Sequence, residues 1–169
     1  QSVYFRTISE KHKKEEDISQ FTYRIVIISL ALSVIPVTIL LLWGDILFSV
    51  VLGSEWSFAG NIAAILSISY TFSFIYSCIT YARVVIQKQR SNLVSTVINL
   101  IITVTFLYFA QTIFGTFISI IYAFSFASTV YNIMNIFITL KYLKYKYYKF
   151  LFLSLLLIAY VVTIVYLSI

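Results

Sequence analysis

Residues 91–140 read SNLVSTVINLIITVTFLYFAQTIFGTFISIIYAFSFASTVYNIMNIFITL, fifty consecutive positions without Asp, Glu, Lys or Arg. A helix that crosses a bilayer needs ~20 apolar residues, so this run is too long for one span and fits two. It divides at Gln111-Thr112-Ile113-Phe114-Gly115, where a polar residue and a turn-permissive Gly coincide. Outward from it lie shorter charge-free runs: Ile25 to Gly44, Trp56 to Ala82, and the stretch that follows Lys149. The sequence predicts an all-α, polytopic transmembrane bundle of five spans, near 25–44, 58–82, 93–112, 117–140 and 150–168. Ile25-Val26-Ile27-Ile28 and Leu155-Leu156-Leu157-Ile158 lack the apolar/polar alternation of barrel strands.

Composition agrees with this reading. Of 169 residues, 61% are hydrophobic and 11% charged, and the mean hydropathy is +0.97. An average soluble domain has roughly 45–50% apolar and 25% charged residues, and a domain of this size has too little interior to hide the excess. A soluble enzyme, a disordered segment and a disulfide scaffold are therefore excluded. Cys78 is the single cysteine, which leaves no internal disulfide and no Cys-cluster metal site. His12, the single histidine, sits among lysines and has no partner ligand nearby. After Asp17 the only acids are Asp45 and Glu55. Metal-dependent or acid–base chemistry needs carboxylates or His inside the site, so no catalytic residue, metal or cofactor is expected.

The basic residues give an orientation. Arg6, Lys11, Lys13, Lys14 and Arg24 precede the first span, Arg83, Lys88 and Arg90 lie between the second and third, and Lys141, Lys144, Lys146 and Lys149 between the fourth and fifth. The turns at 45–57 and 112–116 have no Lys or Arg. By the positive-inside rule the N-terminus is cytoplasmic and the C-terminus outside. Segment 1–22 reads as a cytoplasmic loop, and the Lys-Tyr tract 141–149 as an interfacial belt against membrane lipids. The net charge of +6 then reflects topology, and nucleic acid is not an expected partner. The chain opens at Gln1 without Met and stops at Ile169 in an apolar stretch, so a single membrane domain that is a fragment of a larger protein is expected.

The spans carry ordered polarity. Ser69, Ser73, Tyr76, Ser77, Thr80, Arg83 and Gln87 recur at helical spacing on the second. Asn92, Ser95, Thr96, Asn99 and Thr103 do so on the third, and Ser125, Ser128, Thr129, Asn132, Asn135 and Thr139 on the fourth. Each stripe is either interhelical glue or the wall of a polar cavity. Arg83, Asn99, Asn132, Tyr76 and Thr80 are the candidate substrate-binding residues. Arg83 either snorkels to the headgroups or offers its planar fork to phosphate. The fifth span has no such stripe and is expected at the periphery. Pro36 is expected to kink the first span.

Between the first two spans runs Gly44-Asp45-Ile46-Leu47-Phe48-Ser49-Val50-Val51-Leu52-Gly53-Ser54-Glu55-Trp56-Ser57-Phe58-Ala59-Gly60. Eight residues bracketed by Gly44 and Gly53 are too few to span, so an interfacial helix is expected, with Trp56 at the headgroups and Glu55 capping the next helix. Together with Pro36, this stretch resembles the signature of bacterial polysaccharide transporters, the O-antigen and capsule flippases of the multidrug/oligosaccharidyl-lipid/polysaccharide exporter superfamily. The family turn Gly-x-Glu-Trp-x-x-Ala-Gly is matched by Gly53 to Gly60, with Glu55 and Trp56 in place. The turn Gln87-Lys88-Gln89-Arg90 is similar to the family's Gly-Lys-Gln turn, with Gln87 in place of Gly. The resemblance covers roughly residues 1–140. It implies the C-terminal portion of a twelve- to fourteen-helix carrier in the bacterial inner membrane. Such a carrier flips an undecaprenyl-diphosphate-linked oligosaccharide by alternating access, joined to its N-terminal half and working beside a polysaccharide polymerase. A drug/cation antiporter of the same superfamily, and a non-transporting membrane subunit or polymerase, are the alternative readings.

Overall fold

The computed structural model describes residues 2–14 and 16–167. It is 90% helical, with no strand among the described residues. The elements are α1 (Ser2–Lys13), α2 (Ser19–Leu52), a short 3-10 turn (Ser54–Trp56), α3 (Ser57–Ile79), α4 (Ala82–Val85), α5 (Gln89–Phe114), α6 (Phe117–Tyr142) and α7 (Tyr147–Leu167). Five helical segments, built on α2, α3 with its flanking turns, α5, α6 and α7, are long and apolar enough to cross a membrane.

Boundaries differ most at the first span. It starts at Ser19 rather than 25, because the Asp17 carboxylate accepts the backbone N–H of Ser19 at 2.8 Å and tethers the first turn. Hydrogen bonding from the Ser19 side chain first, and from its backbone N–H second, holds the Asp17 carboxyl below its ordinary value. The span runs on past Gly44 to Leu52, so the expected interfacial helix is the last part of α2. The expected kink at Pro36 is displaced: the backbone leaves helical geometry at Trp43 (φ −136°, ψ 17°) and resumes at once.

Two glycines set the crossing of α2 and α3. A Cβ on Gly60 would sit 2.2 Å from the Gly44 carbonyl oxygen, and one on Gly44 would sit 2.8 Å from the Gly60 carbonyl oxygen. Only residues without side chains let two helix backbones come this close. The α2–α3 pair packs through α3 onto α6, and α6 packs onto α5, while α7 lies against both α2 and α6. Phe150 and Leu157 of α7 enter the same buried cluster as Val26, Phe72, Ile75 and Ile136. The outermost span is therefore α5, which buries only Ser95 and Ala110, and not the fifth span as its composition suggested. An even coat of Leu and Ile is compatible with a lipid face and with a protein face, so composition did not separate them.

Segment 1–22 is not an open loop. Tyr4 and Ile8, one turn apart, are buried, and α1 packs against α4. The Tyr4 hydroxyl shares a 2.9 Å hydrogen bond with Thr22, and Phe5 meets the Tyr81 ring at 5.4 Å. The charge density from Glu10 to Asp17 hid this apolar i, i+4 pair.

The three basic segments gather at one end of the bundle. α1 lies on α4, Tyr23 meets Tyr145 edge-on at 5.5 Å, the Lys146 ammonium lies 5.7 Å from the Tyr23 ring, and Tyr142 donates to Ser91 at 3.2 Å. The charge-poor turns at Gly53–Trp56 and Gly115–Thr116 close the other end, where Phe58 and Ile118 line one cavity.

Candidate functional site

Arg83 is the largest fully buried side chain of the described residues, at 0% exposure. The chain places it by ending α3 at Ile79 and adding the single turn α4. Gln87 at φ 57° and the Lys88 N–H donating to the Arg83 carbonyl at 2.7 Å then reverse the path into α5. A left-handed residue at this turn is the conformation that glycine adopts most freely.

The guanidinium points inward, neither out to the headgroups nor along an open stripe. Its Nε donates to Thr139 Oγ1 at 2.8 Å, one Nη2 hydrogen goes to the Asn135 carbonyl, and Nη1 approaches Asn92 Oδ1 and Ser95 Oγ, each at 3.4 Å. The Tyr76 ring lies 5.7 Å from its carbon, within the range of a cation–π contact. Around it the polar groups satisfy one another. Tyr76 donates to Asn92 Oδ1 at 2.5 Å, Ser95 to Asn135 Oδ1 at 3.0 Å, Asn135 Nδ2 to the Tyr131 carbonyl at 2.8 Å, and Thr139 to the Asn135 carbonyl at 2.7 Å. One network thus ties α3, α4, α5 and α6 together at the basic end.

No carboxylate belongs to it. The ion pairs among the described residues are Arg6–Glu10 and Lys11–Glu16, both in the N-terminal segment. A buried charge is costly unless an opposite charge or a full set of dipoles compensates it. Here neutral oxygens alone do so, which leaves a net positive centre inside the bundle. Such a centre attracts an anion, and a guanidinium fork fits phosphate oxygens.

The sequence-derived candidates divide. Tyr76 and Arg83 are joined in the network. Thr80 is half-buried at the end of α3 and makes no bond to it. Asn99 is half-buried on α5 and accepts a hydrogen bond from Thr103 at 3.3 Å. Asn132 is buried and donates to the Ser128 carbonyl at 2.8 Å, within its own helix. The stripes therefore converge at their basic ends, through Asn92, Ser95, Asn135 and Thr139, and not at mid-depth through Asn99 and Asn132. Those four share one depth in the bundle. Asn92 and Ser95 lie in the first turns of α5 and Asn135 and Thr139 in the last turns of α6, the ends that border the basic segment of Arg83.

The turn between the first two spans is built as follows. Gly53 closes α2 at φ 110°, its N–H donating to the Ser49 carbonyl at 3.0 Å. Glu55 is exposed in the 3-10 turn, and the N-cap position of α3 is Trp56, with no side-chain cap bond. Glu55 makes no hydrogen-bonded cap, and the favourable charge expected of it at the α3 N-terminus acts through space. Trp56 is half-exposed, as a headgroup anchor requires. Pro36 lines an apolar groove between α2 and α3. Among the described residues no three His, Cys, Asp or Glu side chains are grouped to hold a metal.

Comparison with known protein families, with curated proteins and with solved structures found no match to this chain.

Proposed function

We propose that this chain is part of a carrier that flips an undecaprenyl-diphosphate-linked oligosaccharide across the bacterial cell membrane, for O-antigen or capsule synthesis. The observation that carries the reading is Arg83, a fully buried cation held by neutral oxygens at the basic end of the bundle. The Gly53–Gly60 turn supports it through the resemblance it bears, and Gly44 against Gly60 gives that motif a physical purpose. The five apolar helices make it a multi-pass membrane protein. In this reading the diphosphate supplies the negative charge that the network lacks. The weak 3.4 Å contacts from Nη1 to Asn92 and Ser95 yield to ion-pair hydrogen bonds with phosphate oxygens, which the planar guanidinium fork fits. Because α5 buries only Ser95 and Ala110, it is the element that moves aside to admit the substrate. Membrane lipids, the rest of the carrier and a polymerase receiving the flipped oligosaccharide are the partners of this scheme.

A structural subunit is the second reading, favoured by the same hydrogen bonds, since they already engage most of the guanidinium. The two separate in a full-length transporter carrying Arg83→Lys or Arg83→Ala. Under the carrier reading, surface polysaccharide per inserted protein falls with Lys and falls further with Ala. In addition, soluble pyrophosphate raises the melting temperature of the wild type and not of the Ala variant. Full export by Arg83→Ala removes Arg83 from transport.

A further inference from the structure

At the end opposite Arg83, a cavity of about 650 Å³ lies between the helices. Leu41 of α2, Asn61 of α3, Tyr122 and Thr129 of α6 and Ile158 of α7 line it, and no charged residue does. Its walls are mostly aliphatic and aromatic, so its occupant is largely apolar. One feature sets it apart from a plain lipid groove. Thr22, Thr38, Thr71, Thr105 and Thr139 each turn their hydroxyl back to the carbonyl four residues earlier, at 2.7–2.9 Å. That is the ordinary way for a helix in hydrocarbon to satisfy a threonine. Thr129 does not. It is buried to 9% exposure, and its hydroxyl makes no hydrogen bond with any described residue. No fully enclosed polar side-chain atom lacks a partner among those residues, so the Thr129 oxygen keeps open surface, and the space it borders is this cavity.

The neighbouring polar groups narrow the chemistry. Ser125, one turn earlier, donates to the Ile65 carbonyl of α3 at 2.9 Å and so serves the helix contact. Asn61 and Tyr122, both exposed, line the same cavity and make no side-chain hydrogen bond among the described residues. A hydroxyl, a carboxamide and a phenol offer donors and acceptors without charge. In a bilayer an unmade hydroxyl bond is costly. A bare hydrocarbon chain leaves Thr129 unsatisfied, an ester carbonyl can accept from it but not donate to it, and an anionic headgroup finds no cation. We propose that this cavity binds an uncharged, hydroxyl-bearing lipid, its apolar body along α3 and α6 and its hydroxyl on Thr129. This site is separate from the Arg83 network and does not depend on the carrier reading.

The test uses the full-length protein in phosphatidylcholine vesicles. Three probes carry the same diazirine-labelled chain, as an alkyl glucoside, a monoacylglycerol and a methyl ester. Crosslinks are mapped by mass spectrometry to peptides from 57–79 and 117–140 and normalised to inserted protein. At least one hydroxylated probe labels the cavity roughly 2- to 10-fold above the methyl ester, the range of one hydrogen bond. Thr129→Val brings that labelling down to the ester level, and Thr129→Ser, which keeps the hydroxyl, retains it. Labelling by the glucoside alone identifies the source as a sugar-bearing lipid, and equal labelling by the monoacylglycerol as any neutral hydroxylated lipid. Equal labelling by the methyl ester, or labelling unaffected by Thr129→Val, overturns the proposal.

Discussion

Two buried polar residues at the basic end obey different rules. Arg83 is charged by its own basicity, and four protein groups from α5 and α6 aim oxygens at it. Tyr4 is held in its neutral form. Burial raises its phenol from 10.0 to about 12, while the hydrogen bond with Thr22 acts in the opposite direction. For an acid, a folded pKa above the unfolded one means that the folded state keeps the proton. The docking of α1 is thus at full strength below about pH 10 and is lost as the pH rises through about 12. Two pKa units correspond to about 2.7 kcal/mol, an upper figure for the contribution of this one residue. Protection of the Lys11–Lys14 segment from subtilisin, followed from pH 9 to pH 12, is expected to collapse in that window. Tyr4→Phe starts lower by about 1 kcal/mol, for the lost hydrogen bond, and shows a flatter profile there. A wild-type profile no steeper than that of Tyr4→Phe would show that the phenol does not control docking.

At the scale of elements, the α2–α3 crossing is the most tightly specified contact. Gly60→Ala brings a methyl group to 2.2 Å from the Gly44 oxygen and 2.5 Å from its carbon, both backbone atoms that cannot swing aside. Gly44→Ala meets the Gly60 oxygen at 2.8 Å, a milder conflict. Overpacking of this kind costs about 1–3 kcal/mol and sometimes more. Gly53 has open space around it and a φ of 110°, so Gly53→Ala strains only the backbone. The melting temperature in detergent is therefore expected to fall in the order Gly60→Ala, then Gly44→Ala, then Gly53→Ala; equal losses at all three would remove the close crossing. The residues of this crossing stood out in the sequence as members of the Gly44 to Gly60 motif, but their direct contact was not legible. Helix periodicity reports which face is polar and says nothing about which face of which neighbour meets it. For the same reason the stripes on α3, α5 and α6 were visible, while the asparagines that join them to Arg83, Asn92 and Asn135 rather than Asn99 and Asn132, were not singled out. The Trp43 break was not legible at all, because Pro36 carried the stronger local signal.

For the whole molecule, the charge pattern and the helix packing are two independent routes to one arrangement. Charge counting separates three basic segments from two segments without Lys or Arg. Side-chain contacts bring the basic ones together through Tyr23, Tyr145 and Lys146 and through Tyr142 and Ser91. Both follow from five spans in antiparallel succession, since each short turn returns the chain to the opposite end. An anionic inner leaflet favours each Lys or Arg near its surface by about 1 kcal/mol. By the positive-inside rule, the twelve Lys and Arg of the chain are expected to place the basic end at the cytoplasm. In a Cys78→Ser background, a cysteine at Ser54 should react with a membrane-impermeant maleimide added to intact cells. Cysteines at Lys88 and Lys144 should react only after the membrane is opened. Because α1 is seated on α4, a cysteine at Lys13 should follow the second group. Labelling of Lys144→Cys in intact cells inverts the molecule and would put the Arg83 network at the outer face, where a carrier would release its diphosphate instead of capturing it.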